Sequence, residues 1–268
     1  MGTITKALEL LDYFSSSRSE IGLGEFVRLS QRDKATVHRH LTELEQNGFL
    51  EQDSASRAYR LGPALLRLSA VREAAFPVRR LMRPIVTQLA ETLGELAHVS
   101  LLQNDMLSPV FHADPRRHGT QVYFDESERL PLHATSGGMA VLAVLPASHR
   151  DRILSAPLPA ITADTPTDPA QVIAMIQNVR QQGFSQMQSS FDAEVASQGA
   201  PLFGQSGKVI GALSVAVPVG RATDENWSQI NAALRQAARA ATLSLGGQYP
   251  EFPLSDGAQT NAVPRRTR

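Results

Sequence analysis

The chain has 268 residues, with 26 Lys and Arg against 26 Asp and Glu, and no Cys. At roughly 100–200 residues per domain this predicts one large domain or two ordinary ones, and a hydrophobic content of 42% supplies a core. The missing Cys excludes a disulfide framework, a thiol nucleophile and a thiolate zinc site.

Ile4–Phe14 reads as an amphipathic helix, with Ile4, Ala7, Leu8, Leu11 and Phe14 on one face. Gly22–Ser30 is a second, shorter helical segment. Asp33–Asn47 is the third and most regular one. Asp33 suits its N-cap and Gly48 its left-handed end. Leu41 and Leu44 fall beside Val37 as the buried stripe, while Ala35, Thr36, Arg39, Thr42 and Gln46 point outward. That outer face is small, polar and cationic at its start, and Glu43 and Glu45 come later. A helix entering a major groove needs this order, since bases and phosphates meet its N-terminal half. For one helix alone, a solvated face explains the pattern better. Gly48–Gln52 and Arg57–Leu61 then read as two strands around the turn Asp53–Ser56. Three helices followed by a hairpin make a winged helix-turn-helix. Arg57 at the hairpin tip and Arg60 beyond it can reach phosphates or a minor groove. The charge is +2 over residues 1–80, −3 over 81–250 and +1 over 251–268, so the front of the chain is the better match for a polyanion.

The run RDKATVHRHLTELEQNGFLEQDSASRAYRLGPALLRL resembles the DNA-binding half of the IclR family of bacterial transcription regulators. Lys34-Ala35-Thr36-Val37-His38-Arg39 matches the family's recognition-helix pattern, with Ala35 where Ser is usual and His40 where the family has Leu. Tyr59-Arg60-Leu61-Gly62 matches the end of its hairpin. The resemblance implies a DNA-facing set of Arg32, Lys34, Ala35, Thr36, His38, Arg39, Thr42, Arg57 and Arg60. Lys34, Arg57 and Arg60 are expected on phosphates, and Thr36 and Arg39 on base edges.

Further along, Pro63–Phe76 is helical up to Pro77, where the family places a linker helix. Pro84–Gly94 is an amphipathic helix. Leu96–Gln103 and Met106–Ala113 are strands around the turn Asn104-Asp105, and Gly119–Phe124 is a third strand candidate. A helix starts near Ser136, and Pro169–Gln182 is a long helix. Phe184–Ser190, Gly199–Phe203 and Val209–Val217 are strands, and Asp224–Leu245 is a closing helix. The expected fold class is α+β: a winged helix-turn-helix over 1–62, a linker helix over 63–78, and an effector-binding domain with an antiparallel sheet over 79–250. Residues 251–268 read as a disordered tail.

The resemblance continues in the second half, through Pro131–Ala143, Gly199-Ala200-Pro201-Leu202 and Gly211–Val215 with Pro218, and implies a GAF-like effector-binding domain. Thr135-Ser136-Gly137-Gly138 opens a helix with small residues. Its free amides and positive dipole end suit a carboxylate, and an ordinary capped helix is the plainer explanation. The family's pocket positions correspond here to Ser136 and Gly137, with Gly138 and His133 adjacent, and to Ser197 and Ser214. Asp192 and Glu194 lie on the preceding loop, and Leu130, Leu142 and Val122 are candidate apolar walls.

His112, Asp114 and His118, with His98 and His133, could build a metal site, but Arg116-Arg117 between them would repel a cation, so no metal is expected. No G-x-S-x-G, H-E-x-x-H or phosphate loop is present, so neither an enzyme nor a bound cofactor is expected. The longest apolar runs, such as Val209–Val219, fall short of the roughly 20 residues of a membrane span. The N-terminus lacks a secretory core. The expected protein is cytoplasmic, without membrane contact. It pairs as a homodimer or homotetramer on a palindromic double-stranded operator and responds to a small organic acid. The alternative is a DNA-binding protein whose second domain serves only to oligomerise.

Overall fold

The structure, a computed structural model, describes residues 2–254. It divides into two compact units, one up to Pro77 and one from Val78 onward.

In the first unit, α1 (Thr3–Leu8) leads through a 3-10 turn (Leu11–Tyr13) to α2 (Leu23–Ser30) and α3 (Lys34–Gln46). The hairpin β1 (Leu50–Gln52) and β2 (Tyr59–Leu61) follows, and then α4 (Ala64–Ala75). Gln31 in the left-handed region ends α2. The Asp33 carboxylate accepts the Thr36 amide at 2.8 Å and starts α3. Leu10, Phe26, Val37, Leu41 and Tyr59 fill the core, with the Phe26 ring edge-on to Tyr13, Phe14 and Tyr59. Ile21 exchanges two backbone bonds of 2.9 Å with Tyr59, adding a short third edge to the hairpin. The first helix is shorter than its sequence period predicts. Ile4 and Leu8 are 77% and 48% exposed, and the chain turns after Leu8 so that Leu10 enters the core instead.

His40 departs from the usual chemistry of a core. It is buried on α3, and neither ring nitrogen has a hydrogen-bond partner. Burial, and then the nearby cations Arg39, Arg32 and Lys6, hold its pKa below the ordinary value.

The second unit begins with α5 (Val78–Leu93), followed by β3 (Leu96–Gln103), β4 (Met106–Ala113) and a two-residue β5 (Leu130–Pro131). Three helices come next: α6 (Ser136–Val144), α7 (Ala147–Leu154) and α8 (Pro169–Gln182). The chain closes with β6 (Ser185–Gln188), β7 (Val195–Phe203), β8 (Val209–Pro218) and α9 (Asp224–Ser244). The six strands form one antiparallel sheet in the order β5-β4-β3-β8-β7-β6.

The two-residue period of β8 sorts the faces. Leu213, Val215 and Val217 pack with α5 and α9 around Trp227 and Leu234. Ala212 points to the other side, where α6 and α8 bring Met139, Leu142 and Ile176. All nine residues of α6 are buried. Its first turn touches the sheet directly, since a Cβ on Gly199 would stand 2.5 Å from the Gly137 amide and one on Gly137 would stand 2.7 Å from Ser214 Oγ.

Several elements differ from the sequence expectation. Pro84 lies inside α5, which starts six residues earlier, at Val78. Residues 119–124 form no strand, while the short β5 and α7 carry no strong sequence signal. Residues 251–254, assigned above to a disordered tail, are packed. The Leu254 amide donates to the Arg180 carbonyl at 2.9 Å, and Glu251 pairs with Arg239 at 3.1 Å. The rest of that expected tail, 255–268, lies outside the described residues.

Two measurements check this packing. Gly199→Ala should destabilise the second unit by about 1–3 kcal/mol in denaturant melts. Gly119→Ala, whose Cβ meets nothing within 4 Å, should be neutral. For His40 the sign follows from linkage. A folded pKa below the unfolded value means that the unfolded state binds more protons, so stability is full above the unfolded pKa of 6.5 and is lost as pH falls from there through the folded pKa. Hydrogen-exchange protection of the α3 amides should therefore drop from about pH 8 to about pH 5. His40→Leu should remove that drop.

Candidate functional site

Two surfaces carry chemistry. On the first unit, α3 presents Lys34, Ala35, His38 and Arg39 exposed, with Thr36 and Thr42 partly so. The hairpin tip beside it is built to be stiff. The Asp53 carboxylate accepts the Ala55 and Ser56 amides at 3.0 and 2.7 Å and the Ser56 hydroxyl at 2.9 Å. Gln52 donates to the Arg57 carbonyl at 2.9 Å. These bonds hold Arg57 at φ 59, a conformation that few non-glycine residues adopt, with its side chain exposed. Arg60 is also exposed and pairs with Glu51 at 3.0 Å. Arg32 serves differently from the rest of the set. Its guanidinium bonds Glu9 and, at 2.8 Å, the Lys6 carbonyl, so it ties the end of α1 to the start of α3.

The second surface is a cavity of about 140 Å³ in the second unit. Its floor is the first turn of α6. Thr135 Oγ1 accepts the Gly138 amide at 3.1 Å, and the amides of Ser136 and Gly137 precede any acceptor within the helix. The turn is pinned from outside. Ser185 Oγ donates to the Ser136 carbonyl, and Ser190 Oγ donates to the Ala134 carbonyl at 2.9 Å. Beside the turn stands Ser214 Oγ, fully buried and without a partner.

The cavity brings together Leu130, Ser136, Gly137, Asp192, Ser197 and Ser214 of the expected set, together with Val122. It leaves out four. His133 Nε2 meets the Pro159 carbonyl at 3.0 Å. Gly138 lies against the Leu132 backbone. Leu142 is solid core, because α6 is covered on every side. Glu194 does not line the cavity, and its amide caps Asp192 at 2.9 Å.

Sequence reasoning missed Phe124 and Glu128, and it weighed His98 only as a metal ligand. His98 pairs with Ser214 across the β3–β8 ladder. Full burial pushes it down to about 3, with a smaller push from His112, so it is neutral near pH 7. The Phe124 ring lies 4.4 Å from His98 and 5.3 Å from His112. The segment bearing Phe124 is fastened at both ends. Arg221 donates to the Thr120 carbonyl at 2.9 Å while it grips buried Glu95 through two bonds of 2.6 and 2.7 Å. Glu126 accepts from His112 at 2.8 Å and from Arg79, in the first turn of α5, at 3.3 Å. Glu128 is held above the usual carboxylate range by burial, and then by Asp125 and Asp192. Among the described residues no group of three His, Cys, Asp or Glu converges on a metal position, and no helix is long and apolar enough to cross a membrane.

Comparison with known proteins matches both units. The family model described as IclR helix-turn-helix domain covers residues 3–54, and that described as Bacterial transcriptional regulator IclR C-terminal covers 73–243. The HTH-type transcriptional regulator BhcR of Paracoccus denitrificans is 30% identical over 239 residues, covering 88% of this chain and 84% of that one. The transcriptional repressor IclR of Escherichia coli is 25% identical, covering 91% and 90%. Among solved structures, an IclR-type chain from Silicibacter sp. TM1040 is 45% identical with a TM-score of 0.87, covering 94% of this chain and 100% of that one. An IclR homologue from Microbacterium hydrocarbonoxydans, complexed with 4-hydroxybenzoate, shares the fold at 23% identity and a TM-score of 0.74, covering 91% and 99%. The exposed helix with its stiff hairpin and the separate cavity-bearing unit agree with these matches: the chain belongs to the IclR family of bacterial transcriptional regulators, as a DNA-binding regulator with a C-terminal ligand-binding domain.

Proposed function

We propose that the chain binds a palindromic operator as a homodimer or homotetramer and is controlled by a small organic acid, carboxylic or aromatic, held at the N-terminus of α6. One observation carries the sensing role: a cavity ends on the first amides of α6, which have no acceptor within the helix, and on the buried, partnerless hydroxyl of Ser214. A carboxylate seated there accepts from the Ser136 and Gly137 amides and from Ser214. The volume is close to the roughly 150 Å³ that holds one benzene, which limits the ligand to a single ring or a short chain. The bound 4-hydroxybenzoate of the Microbacterium homologue is of that class.

On the DNA side, Lys34, Arg57 and Arg60 contact phosphates, Thr36 and Arg39 read base edges, and Ala35, His38 and Thr42 complete the groove-facing surface. One winged helix reads only a few base pairs, so two copies act together. Leu66, Leu68 and Val71 are exposed on α4 and supply apolar surface for that pairing. The ligand changes operator binding only by the difference in its affinity for two arrangements of the chain.

A double substitution of Thr36 and Arg39 by alanine should abolish the operator footprint, and an intact footprint would overturn the DNA assignment. Lys34→Ala should lower the slope of log affinity against log salt by about one. In thermal melts, an acid supplied at about 100 times its Kd should stabilise the chain by about 2.7 kcal/mol. Ser214→Ala should weaken that acid about tenfold. A broad panel of acids with no shift would favour a second unit that only oligomerises.

A further inference from the structure

The charge around the cavity is one-sided. Its lining contains no Lys or Arg, and His98 is neutral. Dipoles alone make the floor positive, at the first amides of α6. The loops at the rim carry carboxylates: Glu128 ahead of β5, and Asp192 between β6 and β7, both exposed to solvent on one side. Asp125 stands with them, but its Oδ1 accepts the Ser127 amide and hydroxyl at 2.8 and 2.7 Å, so nothing here depends on it. Asp192 uses Oδ1 for the Glu194 amide. Both rim carboxylates line the same cavity, and Asp192 adds, after burial and Asp125, to the upward push on Glu128.

Ser214 is an independent sign of an occupant. Its hydroxyl is 1% exposed, has no partner and lines the same cavity. A buried hydroxyl left unpaired costs free energy that a bound polar group would recover. The ligand must therefore satisfy a floor that attracts an anion and a rim that attracts a cation. A dicarboxylate meets repulsion at the rim. A neutral-ended acid leaves the like charges of Glu128 and Asp192 at the rim uncompensated.

Resting on the small-acid reading above, we propose that the effector is a zwitterion: a small amino acid or other amine-bearing carboxylic acid. Its carboxylate sits on the Ser136–Gly137 turn beside Ser214, and its ammonium sits between Glu128 and Asp192.

Matched pairs that differ only in amine or hydroxyl test this on the full chain. The probes are alanine and lactate, γ-aminobutyrate and γ-hydroxybutyrate, and para-(aminomethyl)benzoate and para-(hydroxymethyl)benzoate. Affinities come from calorimetry and thermal melts of the native chain and of the E128Q/D192N variant. Circular dichroism of the ligand-free variant reports that it is folded. In at least one pair the amine should bind about tenfold tighter than its hydroxyl partner, and the variant should erase that preference. Equal or tighter binding of the hydroxyl members would overturn the zwitterion and leave the small-acid reading standing. A preference for the amine that survives in the variant would overturn the roles of Glu128 and Asp192. Binding by no member of any pair would sink the small-acid reading together with this one.

Discussion

The first turn of α6 lies backbone to backbone on β7 at Gly199 and against the small side chains of Ser214 and Ala212 on β8. Gly199 and Gly137 each withhold a Cβ that would strike backbone or Ser214. Glycine at such positions costs conformational entropy, and close packing with hydrogen bonds offsets it. The hydroxyls of Ser185 and Ser190 pin the carbonyls of Ser136 and Ala134 on either side of the turn. Behind it, α6 is apolar and buried on all sides, so it cannot slide along the sheet without opening the core. This contact fixes where the helix amides point. It also fixes that Ser214, rather than a larger side chain, lies beneath them. The cavity is the space left when a helix end is held this close to a sheet and the segment 122–130 closes over it.

On the roles proposed above, the two units handle anions by different physics. The outer side of α3 and the hairpin carries full charges on exposed side chains, Lys34, Arg39, Arg57 and Arg60, in high dielectric. Such contacts are long-ranged, quickly made and strongly screened by salt. The cavity uses amide dipoles and hydroxyls in a confined space, with no cationic side chain in its lining. These contacts act only at hydrogen-bond distance and feel salt little. A lining without Lys or Arg offers no cationic side chain to a polyanion. The near-neutral total charge of the chain hides this arrangement, because the contrast lies in where charge is placed.

The sequence carried the helices whose period and ends agree. The α3 helix was legible because Asp33, the Val37–Leu41–Leu44 stripe and Gly48 all say the same thing. The helix read over Ile4–Phe14 stops at Leu8 because the chain turns there, and Leu11 and Phe14, which continue its period, pack on the core from outside the helix. Val122 and Phe124 alternate as a strand would, yet residues 119–124 have no ladder partner and are held by Arg221 and Glu126 instead. In the cavity, Ser136 and Gly137 were visible from a local signal, a small-residue turn that opens a helix. Leu142 and His133 are near in sequence but face other surroundings. The cavity positions of His98 and Glu128 were invisible because strand register and loop closure, not spacing along the chain, bring them to Ser214 and Asp192.

Glu126 belongs at once to the segment that walls the cavity and to the surroundings of Arg79, two residues past the boundary at Pro77. Arg79 is about half exposed, and exposed pairs of this kind are worth roughly 0–1 kcal/mol. Useful coupling between distant sites runs to about 1–3 kcal/mol. The shared carboxylate can thus tilt the balance between two arrangements by only a few-fold. On its apolar underside α5 is held more firmly, since Met82, Val86 and Leu89 share one closely filled layer with α9 that resists graded deformation. That makes the helix a stiff strut, and the ion pair at its tip a trim weight.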